Sequence, residues 1–273
     1  MTAPSERDIR VNGISIRCRI EGREGAPWLV FSNSLMTNLS LWDDQVAKFG
    51  GKFRILRYDQ RGHGHTTLTS VPCNIDLLVD DAIGMLDALG IERITFVGIS
   101  MGSGTALRIA QRYPERIVRM VMCAGGAATG PGNAEAWQQR IDFATSKGME
   151  AMVEPTVARW FHPDSLKANG AAVQRVREMI RTTPLEGFVA CAQALQQFDF
   201  QADLPKMHLP ALLLAGAADA NATRSLSSLQ GRVAGSRYSV VPNAGHLANI
   251  EAPTAFNDLM SDFLDQTSDR AAR

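Results

Sequence analysis

The stretch Ile94-Thr95-Phe96-Val97-Gly98-Ile99-Ser100-Met101-Gly102 decides how the rest of the chain is read. Residues 94–97 form an apolar run rich in β-branched and aromatic side chains, the mark of a strand buried on both faces. After Gly102 the period changes. Ala106, Leu107, Ile109 and Ala110 fall on one side, and Arg108, Gln111 and Arg112 on the other, as in a helix packed on a core. Between the two lies Gly-x-Ser-x-Gly. On a sharp strand-to-helix turn the serine is held strained, with its hydroxyl over the sheet edge. A side chain at either glycine would collide with the neighbouring helix and strand. The Met101 amide sits at a helix N-terminus, where it can stabilise a developing negative charge. The blander reading is a tight turn with a capping serine. The strand before, the helix after and the partners found further along favour a nucleophile.

Working outward, residues 27–32 and 117–124 read as further buried strands, and residues 53–58 as another strand. Residues 42–49 and 74–89 read as helices, the second stopped by Gly90. Near the start, Ile9-Arg10-Val11 and residues 14–20 alternate apolar with polar around Asn12-Gly13, which predicts a half-exposed hairpin. Strands alternating with helices indicate a mostly parallel, twisted sheet flanked by helices. Chemistry in such sheets gathers beyond the carboxyl ends of the strands. The loop after residue 32, Asn33-Ser34-Leu35-Met36, lies at such an end. The amide of Leu35 is the second candidate donor for an oxyanion. Residues 59–65, Asp59-Gln60-Arg61-Gly62-His63-Gly64-His65, read as a structural loop braced by Asp59 and Arg61. His63 and His65 alone, without a carboxylate or cysteine cluster, are weak evidence of a metal.

From about Ala127 to Asp203 the alternation stops. A breaker cluster at 127–132 precedes helical patterns at 135–147, 149–160, 171–182 and 185–198. This predicts a helical cap, residues 127–203, inserted into a core made of residues 1–126 and 204–273 and placed over the strand ends as a lid. Trp137 and Arg140 are candidates for contact with substrate, while Trp160 and Phe161 are expected to pack within the cap. Alternation resumes with strands at 211–216 and 236–241 and a final helix at 253–264, with a frayed tail from 265.

Ser100, Asp219 and His246 each follow a strand, in that order. A serine hydroxyl is a weak nucleophile until a base takes its proton, a task for His246. Asp219 would fix the imidazole tautomer and stabilise its cation. An aspartate after a strand is often only a helix cap; here three residues at three strand ends fit one mechanism. Asp199 and Asp203 are rivals placed in the cap or its connection.

With Asp59-Gln60-Arg61-Gly62-His63-Gly64, Gly98-Ile99-Ser100-Met101-Gly102, Gly216-x-x-Asp219 and Ala244-Gly245-His246 in hand, the whole chain resembles the α/β-hydrolase superfamily. More narrowly it resembles the 3-oxoadipate enol-lactonases of bacterial aromatic catabolism. The carriers are Phe31-Ser32-Asn33-Ser34-Leu35 with Trp42-Asp43, and Gly245-His246-Leu247-Ala248-Asn249-Ile250-Glu251. The resemblance implies hydrolysis of a small carboxylated lactone or ester through an acyl-enzyme. Hydrolytic C–C cleavage of a ring-fission product, general carboxylesterase activity and a non-catalytic receptor on the same scaffold are the alternatives. The chain departs from the pattern at Met36, where glycine is usual, at Ser103, also usually glycine, and at Ala220-Asn221-Ala222-Thr223, which lacks the usual Thr-Pro.

Composition narrows the classes further. A formal net charge of +0 over 273 residues argues against nucleic acid or an anionic membrane as partner. No apolar run is long enough to span a bilayer, and residues 1–8 lack a signal-peptide core. Cys18, Cys73, Cys123 and Cys191 are scattered and read as buried thiols of a cytoplasmic protein rather than a disulfide frame or metal site. The expectation is a cytoplasmic enzyme acting on a small molecule with no cofactor or metal, with room for a homo-oligomer.

Overall fold

A computed structural model describes residues 2–267. Alternation on β2 (Ile14–Gly22) buries Ile14, Ile16, Cys18 and Ile20 and leaves the residues between them half exposed. It pairs antiparallel with β1 (Thr2–Val11) across Asn12-Gly13, both at positive φ, as a tight hairpin turn demands. β1 begins earlier than its apolar residues indicate. Cross-strand ion pairs of Glu6 and Asp8 with Arg17 and Arg19 accompany the pairing of its polar half, which carries no alternation to read.

The remaining strands are β3 (Trp28–Ser32), β4 (Arg54–Tyr58), β5 (Ile94–Ile99), β6 (Ile117–Cys123), β7 (His208–Gly216) and β8 (Ala234–Val241). They form one sheet in the order β1-β2-β4-β3-β5-β6-β7-β8. From β4 to β8 every neighbour is parallel, and the six residues of β5 near its centre are all buried. Flanking helices α1 (Asp43–Phe49), α2 (Ile75–Ala88) and α3 (Met101–Arg112) follow β3, β4 and β5. This is the α/β-hydrolase fold.

Register brings distant residues together. Ser32 pairs with Gly98 and Ile99 with Cys123, so the loop after β3, Ser100 and Ala124 emerge side by side. Gly216 pairs with Val241, which sets the loop carrying Asp219 beside that carrying His246.

Between β6 and β7 the chain runs through α4 (Asn133–Trp160), α5 (Pro163–Ala168), α6 (Ala171–Thr182) and α7 (Leu185–Gln196). α4 is broken at Gly148 (φ +79°, ψ 169°), which reproduces the two expected helical runs; the short α5 was not expected. Ala128 bridges Asp199, which closes the neck of this segment. It touches the core at Gly187, where a Cβ would lie 1.8 Å from the Gly62 carbonyl oxygen. The Gly62 loop is rigid for a clear reason. Buried Arg61 grips Asp81 of α2 through Nε (2.8 Å) and a terminal nitrogen (2.7 Å), and Asp59 accepts the amides of Leu39 and His65. The loop is thus braced, with Asp81 as the partner of Arg61. His63 is buried, with Nδ1 on the Arg61 carbonyl, and burial pushes it down to about 4. The four cysteines are buried thiols.

After β7 come α8 (Ala220–Leu229) and, beyond β8, α9 (Ala248–Glu251) and α10 (Pro253–Gln266). Asp265 and Gln266 are helical rather than frayed; residues 268–273 of the expected tail lie outside the described residues.

Candidate active site

Ser100 sits at φ +56°, ψ −111°, and its side chain makes no capping bond to α3. The simpler capping role is therefore not the one it plays. A Cβ on Gly98 would lie 1.9 Å from the Gly102 carbonyl oxygen, and one on Gly102 would lie 2.3 Å from that of Ser32. Both contacts are with backbone, so no side chain can give way. The two glycines let α3 begin directly against the ends of β3 and β5.

Six non-glycine residues among those described have positive φ. Three are asparagines, for which that conformation is cheap. The other three, Met36, Ser100 and Ala124, gather at one cavity: Ser100 and Ala124 border it, and Met36 follows Leu35, which does. Backbone strain of this kind collects where surroundings hold a site in place. The Met36 side chain, where glycine was expected, is fully buried.

The cavity, of about 250 Å³, opens beyond the strand ends, and Ser100, Asp219 and His246 all border it. Asp219 does two jobs. One oxygen caps α8 by accepting the Ala222 amide at 2.9 Å, and the other accepts from His246 Nδ1 at 2.6 Å. Burial pushes its carboxyl up, but the His246 hydrogen bond and charge, with the Ala222 and Asn221 amides, outweigh this and hold it below the usual range. His246 is therefore oriented with Nδ1 toward the carboxylate. Among the described residues Ser100 makes no hydrogen bond to His246, so the structure bonds the imidazole to Asp219 but not to the serine. Asp199 and Asp203 do not border the cavity.

The loop after β3 is held by buried polar bonds. Asn33 donates to the Tyr58 carbonyl (2.7 Å), accepts the Trp42 indole N–H (2.9 Å) and, through its own carbonyl, the Gly102 amide (3.0 Å). The Asn33–Trp42 bond accounts for the pairing of those two residues in the sequence. Leu35 borders the cavity; Met101 is not among the residues that line it, and its side chain is buried. Among the described residues neither the Leu35 nor the Met101 amide donates to another backbone carbonyl.

The other wall is α4. Trp137 and Arg140 both border the cavity, with the guanidinium 4.6 Å above the indole. The expectation for Trp160 needs correction: it is not confined to packing within the cap. It borders the cavity, and its ring stacks on the imidazole of His246 (5.5 Å, 19°). Phe161 is buried beside it. Arg159, missed in the sequence, also borders the cavity. Arg159 is still exposed at its outer side; partial desolvation, then the neighbouring Arg140, push it down to about 10 against the pull of Asp219, so it stays a cation at neutral pH. Burial lowers Arg140 as well. Among the described residues neither arginine forms an ion pair. The one signal that could have flagged Arg159 was its place beside Trp160.

The chain matches the alpha/beta hydrolase family over residues 25–259. It is 35% identical over 237 residues to 3-oxoadipate enol-lactonase 2 of Acinetobacter baylyi, covering 86% of this chain and 88% of that one. It is 31% identical to 3-oxoadipate enol-lactonase 1 of the same organism, covering 92% and 94%. The crystal structure of the enol-lactonase from Burkholderia xenovorans superposes with a TM-score of 0.90 at 36% identity, covering 95% of this chain and 100% of that one. With a match across most of its length, this chain is an enzyme of the alpha/beta hydrolase family.

Proposed function

We propose that the protein hydrolyses a small carboxylated lactone, most like 3-oxoadipate enol-lactone, through an acyl-enzyme on Ser100. One observation carries the reading: two guanidiniums without carboxylate partners, Arg140 and Arg159, border the same cavity as Ser100, Asp219 and His246. The two cations repel each other, with the Asp219 carboxylate pulling on Arg159 in part, and an anionic substrate relieves that cost. The enol-lactonase names of the relatives supply the ring.

The chemistry follows from the roles. His246 Nε2 takes the Ser100 proton as Oγ attacks the lactone carbonyl, and Asp219 stabilises the imidazolium. The Leu35 and Met101 amides receive the oxyanion; such a donor contributes roughly 3 kcal/mol. Collapse breaks the ring C–O bond, and the imidazolium returns its proton to the departing enol oxygen. Water, activated by the same imidazole, then frees the acid. Residues 127–203 act as the cap that supplies the carboxylate anchor, and residues 1–126 with 204–273 as the catalytic core. In this reading the enzyme serves aromatic catabolism in the cytoplasm.

The test compares the enol-lactone with a neutral aryl ester, for the wild type and for Arg140→Gln and Arg159→Gln. A charge-assisted hydrogen bond of about 1.5–3 kcal/mol predicts a loss of roughly 10- to 150-fold in kcat/KM on the lactone. The ester should change little. Turnover of the ester alone by the wild type overturns the lactone assignment; equal losses on both substrates overturn the carboxylate anchor.

A further inference from the structure

Resting on the reading of His246 as the base, we propose that Glu251 is a positioning residue that locks the His246 loop to the C-terminal stem of α4. Glu251 ends α9, one short turn after the histidine. Its two oxygens are divided between two parts of the chain. Oε2 accepts the Gly245 amide at 2.6 Å, and Oε1 accepts the His162 amide at 2.7 Å. A third bond closes the clamp: the backbone N–H of His246 donates to the Trp160 carbonyl at 2.6 Å. The two backbones run so close that a Cβ on Gly245 would lie 2.2 Å from that carbonyl oxygen.

The imidazole is thereby set from three directions. Asp219 holds its Nδ1 edge, Trp160 covers its face, and the Ala218 amide anchors the loop on the sheet side through the Ala244 carbonyl (2.9 Å). Only the cap side depends on Glu251. Hydrogen bonds from amides to an ionised carboxylate are short and strong, which suits a part that must not drift. The stem of α4 is therefore coupled to the base, while Trp137 and Arg140 lie on the far side of the break at Gly148. Misplacing a reacting group by about 1 Å costs on the order of 10²-fold in rate.

The experiment measures Ser100 labelling by an organophosphate, aryl-ester kcat and KM, the downfield His246 Nδ1 proton resonance and thermal stability. Glu251→Gln keeps the length of the side chain but turns an NH₂ toward one of the two amides. The expected result is a fall of about 10- to 100-fold in labelling rate and kcat, KM within about threefold, and an upfield shift or loss of the resonance. Labelling and resonance at wild-type values overturn the proposal, whatever happens to stability. Should that variant not fold, His162→Pro against His162→Ala reads the same link. His162 has φ −60° and Phe161 is extended (φ −105°, ψ 152°), so proline fits the backbone and removes the amide. His162→Pro should label at least about fivefold more slowly than His162→Ala, and equal rates overturn the proposal. A wild-type protein inert to both reagents overturns the reading of His246 itself and this assignment with it.

Discussion

Asp219→Asn tests the site most directly, because the carboxylate serves two donors at once. One oxygen caps α8 at the Ala222 amide and the other holds His246 Nδ1 at 2.6 Å. An amide has one oxygen and one NH₂, so it satisfies only one of these donors. If the oxygen keeps the cap, the NH₂ faces Nδ1, and the imidazole moves its proton to Nε2. In that tautomer it cannot take the Ser100 proton. In a triad of this kind the loss is about 10⁴-fold in kcat, or about 5.5 kcal/mol of transition-state stabilisation. If the oxygen stays with His246, the cap is lost at roughly 1 kcal/mol of stability and the drop in rate is smaller. Rate and stability therefore trade against each other. The assay is aryl-ester kcat beside urea unfolding. Stability also depends on pH. The folded Asp219 pKa is depressed, so its contribution is present above its unfolded value of about 3.9 and is lost as pH falls through the folded value. The stability gap between wild type and variant should be flat near neutrality and close under acid. A variant with kcat within tenfold of wild type and unchanged stability would refute the reasoning on both counts.

Three further outcomes are expected. Gly102→Ala sets a Cβ 2.3 Å from the Ser32 carbonyl oxygen and 2.9 Å from that of Asn33, so α3 must move off the loop carrying Leu35. Stability should fall by at least about 1–3 kcal/mol and kcat by about 10²-fold, read by urea unfolding and ester turnover. Asp81→Ala leaves the buried guanidinium of Arg61 unpaired and should cost about 3–5 kcal/mol in urea unfolding, far more than an exposed pair such as Lys206–Asp203. Met36→Gly relieves roughly 1–3 kcal/mol of backbone strain but gives up a buried side chain worth on the order of 2–5 kcal/mol. It should be less stable by urea unfolding, with ester kcat retained; a more stable variant would show that burial does not hold this residue in place.

Much of the fold was legible because its causes are local. An apolar run bounded by glycines says strand, a 3.6-residue period says helix, and Gly98 and Gly102 around Ser100 admit few other shapes. The order Ser100, Asp219, His246 was legible too, since each ends a strand and parallel strands place their carboxyl ends together. Both readings of Asp219, helix cap or triad acid, were present in the sequence, and its two oxygens bond the Ala222 amide and His246 Nδ1. The polar half of β1 was not legible, because cross-strand ion pairs leave no alternation to read.

What tertiary structure alone decided are the contacts between distant parts of the chain. Trp160 looked like one more apolar residue on a cap helix, and nothing near it in the sequence names His246, 86 positions away, as its stacking partner. Glu251 holds the amide of His162 across 89 positions, and a backbone amide carries no sequence signal of its own. Arg159 reads as an ordinary exposed charge on a helix; that it shares a cavity wall with Arg140 depends on how α4 breaks at Gly148 and docks on the core. Periodicity records which face of an element is buried. It does not record what that face meets, and here the docking of α4 against the strand ends decides both what holds the imidazole and which charges border the cavity of Ser100.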